Sequence, residues 1–346
     1  MKKSPFIWDE YSDQPHIITD RNFKKKQKKK FLLEYLQMFL VFIIIFPVSF
    51  VWQFLMRYPK SKMQVGIGVN LDKGDIQYDL IEELGAKELL VRMPLWDIER
   101  IDDYVDFVKG FGSDKVITIN VLQDRPHVED LDLFRRNISI IFEKFQAIST
   151  ELQIGSATNR TKWGFFAVSE YLKFYQVAQQ VRDEFFSTIK LIGPSVIDFE
   201  YYYTAASLFN FKNIKFDKLS SLLYVDRRGA PENRQYGFNF KNKINLLASM
   251  VSLSPKTGNE IYITEANWPL KNTAPFAPTS EKECVNEKDY EKYMKSYIKI
   301  AKNSQKISKL YWHQLVAPGY GLVDNRDDVV RKTPAFYAFK QLLKNE

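Results

Sequence analysis

The 346 residues are 45% hydrophobic and 15% aromatic, enough apolar material for a large buried core, which excludes a globally disordered chain. The formal charge is +8, but nine Lys/Arg against five Asp/Glu fall within the first 34 residues, so half of the excess belongs to a tail. That distribution argues against a basic nucleic-acid-binding face. The one cysteine, Cys284, permits no intrachain disulfide and no thiolate metal site, and His16, His127 and His313 share no ligand spacing; an all-carboxylate site is possible but has no support, and no cofactor is expected.

The chain opens with a polar tail, residues 1–34, whose first part carries Pro5, Trp8 and several acids and reads as a segment able to contact another protein, such as an envelope-assembly partner. It ends in the run "KKKQKKK" at Lys24 to Lys30. From Tyr35 to Met56 follow 22 residues without a charge. At about 1.5 Å per residue, such a stretch crosses a hydrocarbon core of about 30 Å. A single transmembrane helix is expected over residues 35–57, with Pro47 placed to kink it and Trp52 and Tyr58 near the interface. A cleaved signal peptide is the rival, but no small-residue cleavage site follows. The lysine run orients the span with the N-terminus cytoplasmic and the rest outside, which in a bacterium means a single-pass inner-membrane protein facing the periplasm. The same lysines suit anionic lipid head groups.

After a linker at residues 58–63, eight short β-rich runs alternate with amphipathic helical stretches over residues 64–346. The runs are "QVGIGV" from Gln64, "ELLVR" from Glu88, "KVITIN" from Lys115, "ELQIG" from Glu151, "KLIG" from Lys190, "SSLLY" from Ser220, "EIYIT" from Glu260 and "KLYWHQ" from Lys309. The clearest helical patterns cover Leu131 to Thr150, Phe165 to Phe186, Tyr290 to Ser304 and Thr333 to Leu343. Alternation of this kind implies parallel strands with right-handed crossovers, and eight units predict an α/β fold, a closed (β/α)₈ barrel. A doubly wound open sheet is disfavoured because Gly66 and Gly68 begin a phosphate-loop pattern that Leu71 breaks.

In such a barrel, functional side chains gather at the C-terminal ends of strands. Those ends carry Arg92, Trp96 and Asp97 in "RMPLWD", Asn120, Gln123 and Asp124 in "NVLQDRP", then Asn159, Arg160, Lys162 and Trp163. Asp198 follows the fifth strand and "VDRRGAPEN" the sixth, with Asp226, Arg227, Arg228 and Glu232. "TEANWP" supplies Glu265, Asn267 and Trp268, and the eighth strand runs into Trp312, His313, Gln314, Tyr320 and Asp324. Aromatic rings stack on pyranose faces, and carboxylates, amides and guanidinium groups meet the dense hydrogen bonding of a hydroxyl-rich ligand. The set points to a carbohydrate ligand held by Arg92, Trp96, Gln123, Asn159, Arg160, Trp163, Arg227, Asn267, Trp268, Trp312, Gln314 and Tyr320. The competing explanation is rim packing by the tryptophans and solvated loop charges.

The seventh-strand "IYITEANWP" resembles the nucleophile strand of the glycoside hydrolase clan A barrels, and Trp312, "RMPLWD" and "TPAFYAFKQL" in the last helix are also similar to that clan. The likeness covers roughly Gln64 to Leu343. It implies a retaining mechanism with Glu265 as nucleophile and an acid from an Asn-Glu pair ending the fourth strand. This chain reads Gly155, Ser156, Ala157, Thr158, Asn159 there, so both functional side chains of the pair are missing. Asp226, Glu232 and Asp324 are candidates for a replacement acid, with ion pairs to Arg227, Arg228 or Arg326 as the alternative. Three readings stay open. One is a membrane-anchored glycoside hydrolase acting on a cell-envelope polysaccharide or lipid-linked glycan. The second is a catalytically silent glycan-binding barrel that supports polysaccharide or lipopolysaccharide assembly. The third is a purely structural interaction protein.

Overall fold

The computed structural model describes residues 6–225, 229–326 and 329–344. Eight parallel strands close into a barrel: β1 (Gln64–Val69), β2 (Glu88–Pro94), β3 (Val116–Leu122), β4 (Glu151–Ile154), β5 (Lys190–Ile197), β6 (Lys218–Leu222), β7 (Ile261–Ile263) and β8 (Lys309–Trp312). Closure comes from β8, which pairs with β1 so that Leu310 lies opposite Val65. Each expected strand is present, and the alternation with helices makes a (β/α)₈ barrel. The strands read as nearly unbroken apolar runs because helices cover their outer faces and neighbouring side chains fill the interior.

The interior is solid. At its N-terminal end the first residues of four alternate strands, Glu88, Glu151, Lys218 and Lys309, meet in one layer: Lys309 lies 2.8 Å from Glu88 and 3.2 Å from Glu151, and Lys218 lies 2.5 Å from Glu151. Burial pushes the Glu151 carboxyl up, but the charges of Lys309 and Lys218 outweigh it and hold the group below the usual carboxylate range. Above this layer Leu90, Ile192, Tyr262 and Tyr311 form an apolar plug. Gly66 makes room for it, since a Cβ there would fall 2.7 Å from the Tyr311 ring. Only the C-terminal rim is left to form a cleft.

The outer helices bury one face each. The helix Leu131–Phe145 is capped by Asp130, whose side chain accepts from the amides of Asp132 and Leu133, and it buries Phe134, Ile138, Ile141, Phe142 and Phe145 at helical spacing. Phe134 stacks on Phe174 of the next helix with ring centroids 3.5 Å apart.

The residues before the barrel fold back on it. A 24-residue helix, Leu32–Leu55, is long and apolar enough to cross a membrane. It runs along the barrel flank from rim to base. Tyr35 donates to the Phe166 carbonyl near the rim, Ser249 donates to the Ser49 carbonyl at 2.8 Å, and Trp52 donates to Ser252 at 3.2 Å. Its outward face stays apolar and exposed, with Leu33, Ile44 and Phe54 exposed by 75%, 64% and 74%. Ahead of it the basic helix Arg21–Lys30 is capped by Asp20. The first described residues form a two-stranded antiparallel hairpin, Trp8–Asp9 against Gln14–Pro15, laid across the mouth of the barrel.

Candidate active site

Glu265 lies just beyond β7 and both of its carboxylate oxygens accept hydrogen bonds. Arg92, on β2, donates from Nη2 to Oε2 at 3.2 Å, and Tyr224, just past β6, donates to Oε1 at 2.8 Å. The same Arg92 nitrogen lies 2.9 Å from Nε2 of His313, which follows β8. Burial, with the positive charges of Arg92 and Lys73 nearby, pushes the His313 imidazole far below its usual range. A neutral ring accepts from the guanidinium, so three strands fix one arginine and the arginine fixes one carboxylate.

Across the cleft, the loop after β4 is held by its backbone. Gln123 donates to the carbonyls of Ser156 and Trp163, both at 2.8 Å, and accepts from the Ser156 amide at 2.9 Å. Asn159 bridges to β5, accepting from the Ile197 amide at 2.9 Å and donating to Glu200 at 2.7 Å. Between these ties Ala157 has φ +46° and presents its methyl to an apolar group of Leu122, Trp163, Leu222 and Tyr224. Arg160 spans Asp198 and Glu200. A cavity of about 180 Å³ lies between, lined by Glu265, Ala157, Arg160, Trp163 and Asn267.

The hairpin closes this cavity from above. Asp13 is buried, with Lys73 at 2.9 Å from Oδ1, and Gln314 and Tyr320 each donating to Oδ2 at 2.9 Å. Its carbonyl accepts from Arg92 at 3.1 Å. Trp8 packs on Trp96 and edge-on to Trp163, with centroids 4.9 and 5.9 Å away. Gln14 takes Lys162 as donor and donates to the Pro278 carbonyl at 2.9 Å. A second cavity of about 460 Å³ opens on the other side of Trp8, toward Trp96, Asp97 and Arg100.

No protein-family model and no curated protein matches the sequence. Solved structures do match in shape. A family 1 β-glucosidase from Thermotoga maritima superposes with a TM-score of 0.59 at 12% identity, covering 82% of this chain and 97% of that one. A monomeric β-xylosidase from Caulobacter crescentus gives 0.58 at 11%, covering 83% and 69%. Cel5A of Thermotoga maritima, solved with mannotriose, gives 0.56 at 14%, covering 80% and 97%. The likeness is one of fold: this chain shares the closed (β/α)₈ barrel of these glycoside hydrolases.

Within this (β/α)₈ barrel the sequence-expected residues separate into those that line the mouth and those that do not. Glu265, Arg92, Trp96, Arg160, Trp163, Asn267 and Tyr320 line the cavities at the mouth, and Gln314 points a donor into them. Gln123 and Asn159 are buried ties that shape the loop around Ala157. Trp268 and Trp312 do not reach the cleft: both are buried and stack on each other at 5.8 Å, with Trp312 donating to Tyr290 at 2.8 Å and Trp268 to the Gly229 carbonyl at 3.1 Å. Of the candidate acids, Glu232 is exposed and bonded to Ser296 on an outer helix. Asp324 is paired with Arg326 at 2.8 Å and Arg331 at 3.1 Å. Burial raises the Asp324 carboxyl, but hydrogen bonds from Arg326 and Arg331 outweigh burial and hold it below the usual range, which leaves no proton to give. Asp226 and Arg227 lie outside the described residues.

Four residues that sequence reasoning did not assign complete the site. Tyr224 closes the run "SSLLY", so its strand-end position was the available signal. His313 stood at a strand end without a role. Lys73 and Asp13 gave no signal, since one lies in a short turn after β1 and the other in the tail.

Proposed function

We propose that this chain is a membrane-anchored, glycosidase-like barrel whose cleft holds a cell-envelope polysaccharide or lipid-linked glycan, without the acid-assisted hydrolysis of an ordinary glycoside hydrolase. The observation that carries the reading is the wall around Ala157, where Leu122, Trp163, Leu222 and Tyr224 pack and, among the described residues, no carboxyl joins them. A sugar alkoxide cannot leave without a proton, and general acid catalysis commonly contributes about 10²–10⁴-fold. Among the described residues the neighbouring carboxylates are paired, Asp198 with Arg160 and Asp13 with Lys73. What supports carbohydrate as the ligand is the juxtaposition of the Trp96 and Trp163 rings with Arg92, Arg160 and Asn267.

Calorimetric titration of the full-length protein with envelope oligosaccharides tests the reading. Binding that weakens at least about tenfold in Trp163→Ala supports it. Absence of binding to any envelope glycan sinks it.

A second reading has its own support, because both oxygens of Glu265 are held as a nucleophile's are. A substrate with a good leaving group, such as a glycosyl phosphate or an activated aryl glycoside, departs without a proton, and Arg160 and Lys162 suit an anionic leaving group. Steady release of dinitrophenol from dinitrophenyl glycosides, lost in Glu265→Gln, would select this reading.

The apolar helix is the proposed anchor in the bacterial inner membrane, with the lysine run cytoplasmic, the barrel periplasmic and an envelope-assembly protein as the class of partner. In that arrangement residues 6–31 lie across the bilayer from the barrel, so the hairpin is withdrawn and the cleft open. The helix docked along the barrel flank is the closed counterpart, and one helix cannot occupy both positions at once.

A further inference from the structure

We propose that the pocket formed by Lys73, Gln314 and Tyr320 beside Arg92 is a subsite for the carboxylate of an acidic sugar, and that Asp13 fills it from within the chain whenever the hairpin is seated. The inference rests on the reading of the cleft as a glycan site and specifies the chemical class of that glycan as uronate-bearing.

The donors are positioned by the barrel, not by the hairpin. Lys73 follows β1, Arg92 sits on β2, and Gln314 and Tyr320 follow β8. Gln314 is fixed in orientation because its Oε1 accepts from Asn70 at 2.5 Å, which turns its Nε2 toward the cleft. Tyr320 stacks on His313 with ring centroids 5.4 Å apart and an interplanar angle of 19°. Three donors therefore converge on one buried point: a cation, an amide and a hydroxyl, with no acceptor among them but the phenol oxygen. The Asp13 carboxylate satisfies all three at 2.9 Å. A sugar hydroxyl in its place would leave the Lys73 charge with only Asp72 at 3.0 Å, a side chain that is 60% exposed.

The rest of the hairpin copies the other half of such a ligand. Trp8 packs tilted against Trp96, at 4.9 Å and 45°, and so covers the aromatic shelf on which a pyranose ring would sit. An apolar ring on the shelf and a carboxylate in the donor pocket are what one uronate residue and its neighbouring sugar present together. Burial outweighs the pull of Lys73 and raises the Asp13 carboxyl above its usual range, so the seat is paired but dry.

The test uses the full-length chain in detergent micelles, where no bilayer separates residues 6–31 from the barrel and the hairpin can seat. The probes are tetrasaccharides of glucuronate, galacturonate and mannuronate, each with a counterpart whose carboxyls are reduced to alcohols. At least one uronate is expected to bind about tenfold or more tighter than its reduced partner. Lys73→Met should abolish that preference by weakening uronate binding more than binding of the reduced sugar, and Tyr320→Phe, which removes a single hydroxyl, should narrow it. Asp13→Ala should tighten uronate binding by about fivefold or more and leave the reduced sugar less affected. Equal binding of acid and reduced sugar in both wild type and Asp13→Ala overturns the subsite while the glycan reading stands. No binding of either kind to Asp13→Ala overturns both.

Discussion

Both oxygens of Glu265 accept hydrogen bonds, so replacing the carboxylate with an amide turns one acceptor into a donor facing Arg92 or Tyr224. Glu265→Gln is therefore expected to keep the fold and glycan binding within about tenfold, while abolishing any release from an activated glycoside. Titration and a chromogenic assay on the same preparation separate the two effects. At the barrel base, Glu151 touches Lys218 and Lys309, and Glu151→Gln leaves two buried cations short of an anion. Loss of about 3–5 kcal/mol is expected in denaturant unfolding. Because the Glu151 carboxyl is held below its unfolded value of about 4.3, its contribution is present above that pH and lost as pH falls through the folded value. Wild type should thus lose thermal stability below about pH 4 more steeply than Glu151→Gln. At this scale the sequence disclosed Glu265 and Arg92 because strand ends carry function in such barrels. It did not disclose that Trp268 and Trp312 turn inward, since the direction of a side chain at or beyond a strand end is set by the packing of Tyr290 and Tyr297 on the helix that precedes β8.

Strands and helices were legible because burial leaves a periodic trace. β3 reads "VITINVL" and the helix Leu131–Phe145 shows its buried phenylalanines at helical spacing. The expected helix over Leu131 to Thr150 ends at Phe145, where three non-helical residues turn the chain toward Ser149, whose hydroxyl donates to Ile117. The apolar helix was legible by composition, but its partners were not. Ser49 and Ser249 meet on a face that no period marks. Since the outward face of this helix is exposed and apolar, the protein is expected to stay in the membrane pellet after alkaline carbonate extraction, and a chain lacking residues 1–57 to appear in the supernatant. Release of the intact chain by carbonate would contradict an anchor.

For the molecule as a whole, the arrangement that no local pattern could reveal is the tail across the mouth. Asp13 reaches Gln314 and Tyr320 over 301 and 307 residues of sequence, and contacts at that separation leave no trace in either segment alone. Topology decides which arrangement prevails. In a Cys284→Ser background, a cysteine placed at Ile17, which is 69% exposed, should be protected from an impermeant maleimide in intact cells if the helix spans. One at exposed Phe185 on the barrel should react after the outer membrane is opened. Reaction at both sites would place tail and barrel on one side and favour the docked helix. The central claim concerns the cleft, and its most direct measurement combines calorimetry with product analysis on the full-length Asp13→Ala protein and native envelope oligosaccharides. Binding that saturates at one site per chain, with no new reducing ends after prolonged incubation, is the predicted result. Sustained cleavage of an unactivated glycan, or no binding at all, would contradict it.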